Sequence, residues 1–472
     1  MKKRTLFVLI MALTLIMTAC GDAATSTPPA AAPAATTAAA PAATTAAAPV
    51  ATTAAATQAA DTTAAAPAAT TAASAANTSG KAVTLRYAIW SKSQQPAVEQ
   101  LVAEFKKTHP NIDVKIELTP NDQYWTKMDA AATGGALPDV FWMHASNFVR
   151  YASNNIIVPI GDKVTAEKID TARYPSQLVN LYTYNSKIYG LPRNYNLIGL
   201  WYNKAMFDAA GVAYPDASWD WNKLREVAKK LTDTSKNIYG FAATGEDQTG
   251  FWNVIYQNGG SIISDDKKSS GYDKPETIAA LKYWSEFASV DKSSPTYQQL
   301  TETSAQDLFQ SGKVAMMFGG DWLAIDFAKN TYTKDKVNVA PLPQGKKKAV
   351  ILHGSSNVIS AKSPNQAEAW EFVKFLSSRE AQDIQSQGGA SGPPAARDAV
   401  EVWLKTLPQF KLSVFVDQIP DTVLYPHSVN TNSWLSLQRK YIGPMLSGQL
   451  SPEEAGKKMA ADMNEALAKE GR

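Results

Sequence analysis

The chain carries one cysteine and four histidines in 472 residues. A single thiol cannot close a disulfide within the chain and excludes zinc sites that need two or more thiolates, and four scattered imidazoles do not supply a histidine-rich cage. Neither a metal nor a cofactor is expected. An excess of charge of one sign is missing too: 46 Lys and Arg stand against 43 Asp and Glu, and a net +3 is too even to hold a nucleic-acid polyanion. The apolar run at residues 6–17, broken only by Thr14, is about a dozen residues long and falls short of the ~20 that span a bilayer. Catalytic signatures are lacking as well. No HExxH and no Walker glycine-lysine motif occurs, and Gly389-Ala390-Ser391-Gly392 misses the nucleophile-elbow spacing because Pro393 stands where its last glycine belongs. What remains, with 45% apolar, 10% aromatic and 19% charged residues, is the composition of a soluble globular protein, too long for one ordinary core.

The N-terminal residues point to a compartment. Lys2-Lys3-Arg4 is a basic n-region, residues 6–17 are an apolar h-region, and Met17-Thr18-Ala19-Cys20-Gly21 resembles the bacterial lipobox, with methionine where leucine is usual. The chain's one cysteine thus stands where a lipid would be attached. Residues 1–20 read as a lipoprotein signal peptide, and several acyl chains on Cys20 would give stable anchoring where a single chain would not. An incidental cysteine in an ordinary secretory peptide is the plainer alternative. Residues 21–80 hold 30 alanines, 14 threonines and 6 prolines, with an imperfect AAAPAATT repeat starting at Ala30, Ala38, Ala46 and Ala64. Such a segment has nothing large to bury, and its prolines interrupt any alanine helix. It reads as a disordered tether that, at ~3 Å per residue when semi-extended, could hold a domain well over 100 Å from the lipid.

Folding is expected from Lys81 onward. Val83, Leu85, Tyr87 and Ile89 alternate with Thr84, Arg86 and Ala88, the period of a strand. Pro96 then opens a segment with Val98, Leu101, Val102 and Phe105 on one helical face, and Ile112, Val114, Ile116 and Leu118 alternate again. Strand, helix, strand in this span is a βαβ unit with parallel strands, so the class is α/β, and its ligand-binding residues belong in loops beyond the carboxyl ends of the strands. Ser363-Pro364 with Gln366 and Ser451-Pro452 with Glu454 have the pattern of capped helix starts.

The runs EQLVAEFKKTHPNIDVKIEL, ALPDVFWM, YGLPRNYNLIGLWYNKAMFDAAGV, LFQSGKVAMMFGGDW and HGSSNVISAKSPNQAEAWEFVKFLSS resemble, in this order, family 1 extracellular solute-binding proteins, the maltose-binding-protein-like receptors of ABC sugar importers. That resemblance implies a two-lobe periplasmic-binding-protein fold, type II-like, with a hinge and a central cleft, no enzymatic activity, and closure on a mono- or oligosaccharide that is then delivered to the permease subunits. It implies one lobe from residues 81–192 plus 353–392 and another from 193–351 plus 393–472, with crossings near 191–195, 352–355 and 391–396. A monomer is expected.

A sugar offers apolar C–H faces and a fringe of hydroxyls, so its receptor needs flat aromatic platforms and convergent polar groups. Trp90 ends the first strand, before the loop Ser91-Lys92-Ser93, and belongs either to the cleft or to a core. Tyr124 follows Asn121-Asp122 at a helix start, and Trp142 closes a later strand with Met143 and His144; the family contacts ligand from both places. Trp322, after the glycine turn Phe318-Gly319-Gly320-Asp321, stands where similar receptors stack an aromatic on the sugar. Asp321 is either a hydroxyl acceptor or a helix cap. Arg193, Asn194 and Tyr195 lie at the first crossing and His353, Gly354 and Ser355 at the second. Trp252 is a further ligand candidate that reads equally well as core, while Trp221, Trp284 and Trp370 are assigned to cores. These positions carry no dense Arg/Lys cluster, which speaks against a phosphorylated ligand. The rival classes are a glycoside hydrolase, which would need two carboxylates across the scissile bond, and a stalked adhesin.

Overall fold

The structure, a computed structural model, describes residues 81–388 and 392–470; the signal peptide, Cys20 and the tether lie outside them. Eleven strands are present among the described residues: β1 Val83–Ile89, β2 Ile112–Leu118, β3 Val140–His144, β4 Thr183–Tyr184, β5 Lys187–Ile188, β6 Leu191–Asn196, β7 Ile198–Asn203, β8 Met316–Gly320, β9 Val337–Ala340, β10 Val350–Ile359 and β11 Thr422–Leu424. A large sheet runs β11-β10-β3-β1-β2, with β6 also paired to β10. β1 is parallel to β2 and β3, whereas β10 is antiparallel to β3 and β6. A separate antiparallel sheet runs β8-β7-β9, and β4 and β5 form a small hairpin.

The opening βαβ unit forms as its periodicity predicts. The helix Gln95–Thr108 joins β1 to β2 and buries Ala97, Val98, Leu101 and Phe105, with Pro96 in its first turn and Lys106 and Lys107 in its last, placements that suit proline's missing N–H and the helix dipole. Phe105 meets Phe372 with ring centroids 5.0 Å apart, tying this helix to Gln366–Leu376. The expected cap at Ser451 also forms: its hydroxyl accepts from the Glu454 N–H, and Glu454 Oε2 accepts from the Ser451 N–H. Ser363 behaves differently. Its hydroxyl donates to Asp139 Oδ1 and accepts the Asn365 N–H at 3.0 Å, which closes a turn ahead of the helix, and the helix itself begins at Gln366 without a side-chain cap.

The two sheets meet at one residue. β6 ends at Asn196 against β10, β7 begins at Ile198 against β8, and Leu197 alone lies between. Three segments run side by side there: Tyr195 pairs with Gly354 of β10, and Asn194 bridges to Pro394. Gly392 closes the group with φ of +109°, a conformation that favours glycine; a Cβ on it would lie 2.5 Å from Asp321 Oδ1. Trp201, Trp284, Trp370 and Trp434 are fully buried, while Trp221 is half-buried and stacks on Tyr283 at 4.2 Å.

Candidate functional site

A cavity of about 770 Å³ opens at the carboxyl ends of β1 and β3, where ligands of open α/β sheets bind. One wall is the loop after β1, with Trp90, Ser91, Lys92, Ser93 and Gln94, together with Asn121. The floor is Arg193, Asn194 and Asn196 of β6, His353 and Ser355 of β10, and His144 at the end of β3. The opposite wall, reached from the three-stranded sheet, is Trp322, Asp326 and Lys329, with Gln248 beside them.

Two half-buried indoles face this space. Trp90 is held by an aromatic frame, edge-on to Tyr124 (5.2 Å) and Trp142 (5.0 Å) and tilted against Trp125 (6.3 Å). Trp322 is seated by Gly320, where a Cβ would fall 2.1 Å from its ring, so the glycine turn is what lets the indole fold back beside its own strand. Arg193 is 4% exposed. Its guanidinium lies 3.8 Å over the Trp142 ring, Nη1 donates to Ser355 Oγ at 3.1 Å, and Nη2 donates to Gln94 Oε1. Burial lowers its pKa to about 10, which still leaves it charged at neutral pH. Behind it, His144 and His353 stack with ring centroids 3.7 Å apart. The Ser146 N–H donates to His144 Nδ1 at 3.1 Å and the Ala145 N–H to His353 Nε2 at 3.3 Å. Each ring therefore has one nitrogen acting as acceptor and is neutral, its proton on the other nitrogen. Burial agrees with this: it lowers His144 to about 4, and it holds His353 well below its ordinary value with help from the neighbouring ring.

Of the positions singled out from the sequence, Trp90, Arg193, Asn194, Trp322, His353 and Ser355 are brought together here. Six others are placed elsewhere. Trp142 is fully buried, donates from Nε1 to Tyr87 Oη at 2.6 Å, and serves as the platform under Arg193. Tyr124 is fully buried beneath Trp90, with its hydroxyl donating to the Trp142 carbonyl at 3.0 Å. Trp252 is core, its Nε1 donating to Tyr272 Oη at 2.8 Å. Tyr195 is 2% exposed, and no partner is found for its buried hydroxyl. Asp321 is 1% exposed and clamps the link between the sheets: Oδ2 accepts from the Leu197 N–H at 2.7 Å and Oδ1 from Asn196 Nδ2 at 2.6 Å. Gly354 lies within the β10–β6 pairing, its carbonyl accepting from the Tyr182 hydroxyl at 2.6 Å. For Trp142 and Tyr195 the cause is that β3 and β6 are covered on both faces, so residues there are enclosed whether or not they stand near a strand end.

Lys92, Gln94, Asn121, His144, Asn196, Gln248, Asp326 and Lys329 line the cavity without having been assigned to it. Asp326 and Lys329 follow Trp322 at i+4 and i+7, one helical face, and that spacing was the signal available for them. With Lys92 and Lys329 added to Arg193, the cavity also holds the cationic group that the sequence candidates lacked. Among the described residues no group of three or more His, Cys, Asp or Glu is placed to hold a metal ion, and no helix is long and apolar enough to cross a membrane.

The profile of the bacterial extracellular solute-binding proteins matches residues 90–383. The chain belongs to this family. Among its relatives, the maltotriose-binding protein of Pyrococcus abyssi is 27% identical over 310 residues, 63% of this chain and 62% of the relative. The melibiose/raffinose/stachyose-binding protein of Bacillus subtilis is 25% identical over 319 residues, 64% of this chain and 71% of the relative. Among solved structures, an ABC substrate-binding protein from Listeria monocytogenes in complex with cycloalternan superposes with a TM-score of 0.78 at 26% identity, covering 82% of this chain and all of that one. This solute-binding protein thus has the two-lobe α/β architecture of its structural neighbours, and its cavity lies between groups supplied by the two sheets.

Proposed function

We propose that this solute-binding protein captures a sugar between Trp90 and Trp322 and presents it to the permease of an ABC importer, held at the outer face of the cell membrane by lipid on Cys20. The observation that carries the reading is the pair of half-buried indoles on opposite walls of a cavity of about 770 Å³, whose floor is amide, hydroxyl, imidazole and guanidinium. Indole faces suit the C–H faces of a pyranose, and the polar floor suits its hydroxyls. Relatives named for maltotriose and for raffinose-type sugars, and a neighbour solved with cycloalternan, support the same class of ligand. Residues 81–192 with 353–392 make one lobe in this reading and 193–351 with 393–472 the other, closing as a monomer about the segments beside Leu197. The protein binds without turnover, since Asp326 is the one carboxylate among the described lining residues and glycoside hydrolysis uses two. Calorimetric titration with a panel of oligosaccharides, followed by chromatography of the same samples, tests this. Stoichiometric binding with sugar recovered intact is expected; accumulating product, or no binding across the panel, would overturn it.

A further inference from the structure

We infer that the saccharide captured in this cavity is anionic, carrying a carboxylate, sulfate or phosphate group. The inference rests on the sugar-receptor reading and narrows it to a ligand class. Three cations line the cavity, Lys92 on one wall, Arg193 on the floor and Lys329 on the other wall, against a single carboxylate, Asp326. Among the described residues none of the three cations lies within 4.0 Å of a carboxylate. Of the other described arginines, Arg86, Arg150, Arg173, Arg225, Arg379 and Arg439 each have a carboxylate within that distance, and Arg397, which does not, is exposed to water.

Arg193 makes the argument sharpest, because it is nearly enclosed and a buried charge is normally matched by an opposite one. Its contacts are a tryptophan face and two neutral oxygens, those of Ser355 and Gln94. They steady a guanidinium without neutralising it. An oxyanion entering from the cavity would supply the counter-charge in the planar, two-pronged geometry that arginine favours. The stacked histidines beside it are neutral and add no compensating or competing charge.

Closure works in the same direction. Lys92 and Lys329 approach from opposite walls, so drawing the lobes together around a neutral ligand would concentrate like charge as water leaves the cleft. An anion held between them turns that repulsion into attraction. Asp326 does not cancel this: it makes no ion pair with Lys329, and its Oδ2 already accepts from Gln306 Nε2 at 3.3 Å.

The full chain, purified from membranes in detergent, is titrated with matched pairs: glucuronate, galacturonate and mannuronate and their trimers against glucose, galactose and mannose and theirs, and glucose 6-phosphate and glucose 6-sulfate against glucose. At least one acidic member is expected to bind about tenfold or more tighter than its neutral twin, with the advantage shrinking as salt rises from about 50 to about 500 mM. The arms separate carboxylate, sulfate and phosphate. Lys92→Gln and Lys329→Gln, on exposed side chains, should each erode that preference with the ligand-free melting temperature unchanged, and Arg193→Gln should erode it most. Neutral twins binding as tightly as acidic ones, or tighter, would overturn the inference and leave the sugar-receptor reading standing. No binding by any member of either kind would remove that reading and the inference with it.

Discussion

Trp322 and Trp142 are both large indoles near the cavity, yet truncating them should have opposite consequences. Trp322 is half-buried at the edge of the core and lines the cavity, so Trp322→Ala is expected to weaken sugar binding by about tenfold to a hundredfold, the ~1 to 3 kcal/mol of a lost stacking face. Its ligand-free melting temperature should barely move. Trp142 is enclosed and carries Arg193 on its face, so Trp142→Ala should cost about 3 to 5 kcal/mol of stability with or without ligand. Melting curves of both variants, ligand-free and saturated, decide the matter. Why the sequence picked out Trp90 and Trp322 but also Trp142, Tyr124 and Tyr195 has a physical reason. An aromatic at a strand end declares its height in the sheet, but which layer it enters depends on what packs over it from far away in the chain. The stacking of His353 on His144 escaped for the same cause, since the two are 209 positions apart in sequence and meet only through the antiparallel β3–β10 pairing. Their burial makes a further prediction. His144 takes up its proton near pH 4 in the fold but near 6.5 when unfolded, so between those values the unfolded chain holds more protons. Stability is therefore fully present above pH ~6.5 and declines as pH falls toward ~4, by at most about 3 kcal/mol from this group. Denaturant titrations across that window should show the decline in the wild type and a flatter profile in His144→Asn.

Among the elements, β1, its following helix and β2 were legible because apolar residues recur at strict periods of 2 and 3.6, and nothing distant overrides them. The junction between the sheets was legible only as a region rich in proline and glycine. That a single residue, Leu197, changes sheet follows from Asp321, which receives the Leu197 N–H on its carboxylate and returns its own N–H to the Leu197 carbonyl at 3.1 Å. A residue that reads from sequence as a hydroxyl acceptor or a helix cap is in the fold a fastener between strands that belong to different sheets. Asp321→Ala removes a buried acceptor, leaves the Leu197 N–H donor unmet and takes one acceptor from Asn196, so a loss of about 2 to 4 kcal/mol in the ligand-free protein is expected. Equilibrium unfolding in urea measures it. Intact stability combined with lost sugar affinity would return Asp321 to the ligand's side.

At the scale of the whole molecule, the anchor and the cavity should be separable. The cavity is lined entirely from residues 90–355, whereas the lipobox cysteine is residue 20, and the intervening residues 21–80 are mostly alanine, threonine and proline. A segment of that composition has no large apolar side chain with which to build a cleft wall and offsets little of the entropy of ordering it. Two changes probe the two ends of this reasoning. Cys20→Ser removes the only thiol available for acylation, so the protein is expected to leave the membrane fraction on carbonate and high-salt washing while its folded domain melts as before; retention in the washed membranes would refute the anchor. Deleting residues 25–73 shortens the reach of the domain and should leave sugar affinity, measured by calorimetry on the purified protein, within about twofold of the parent, because no binding group is lost. A tenfold weakening on that deletion, equivalent to about 1.4 kcal/mol, would mean that the tether contributes to the site, and the separation of anchor from receptor would fail.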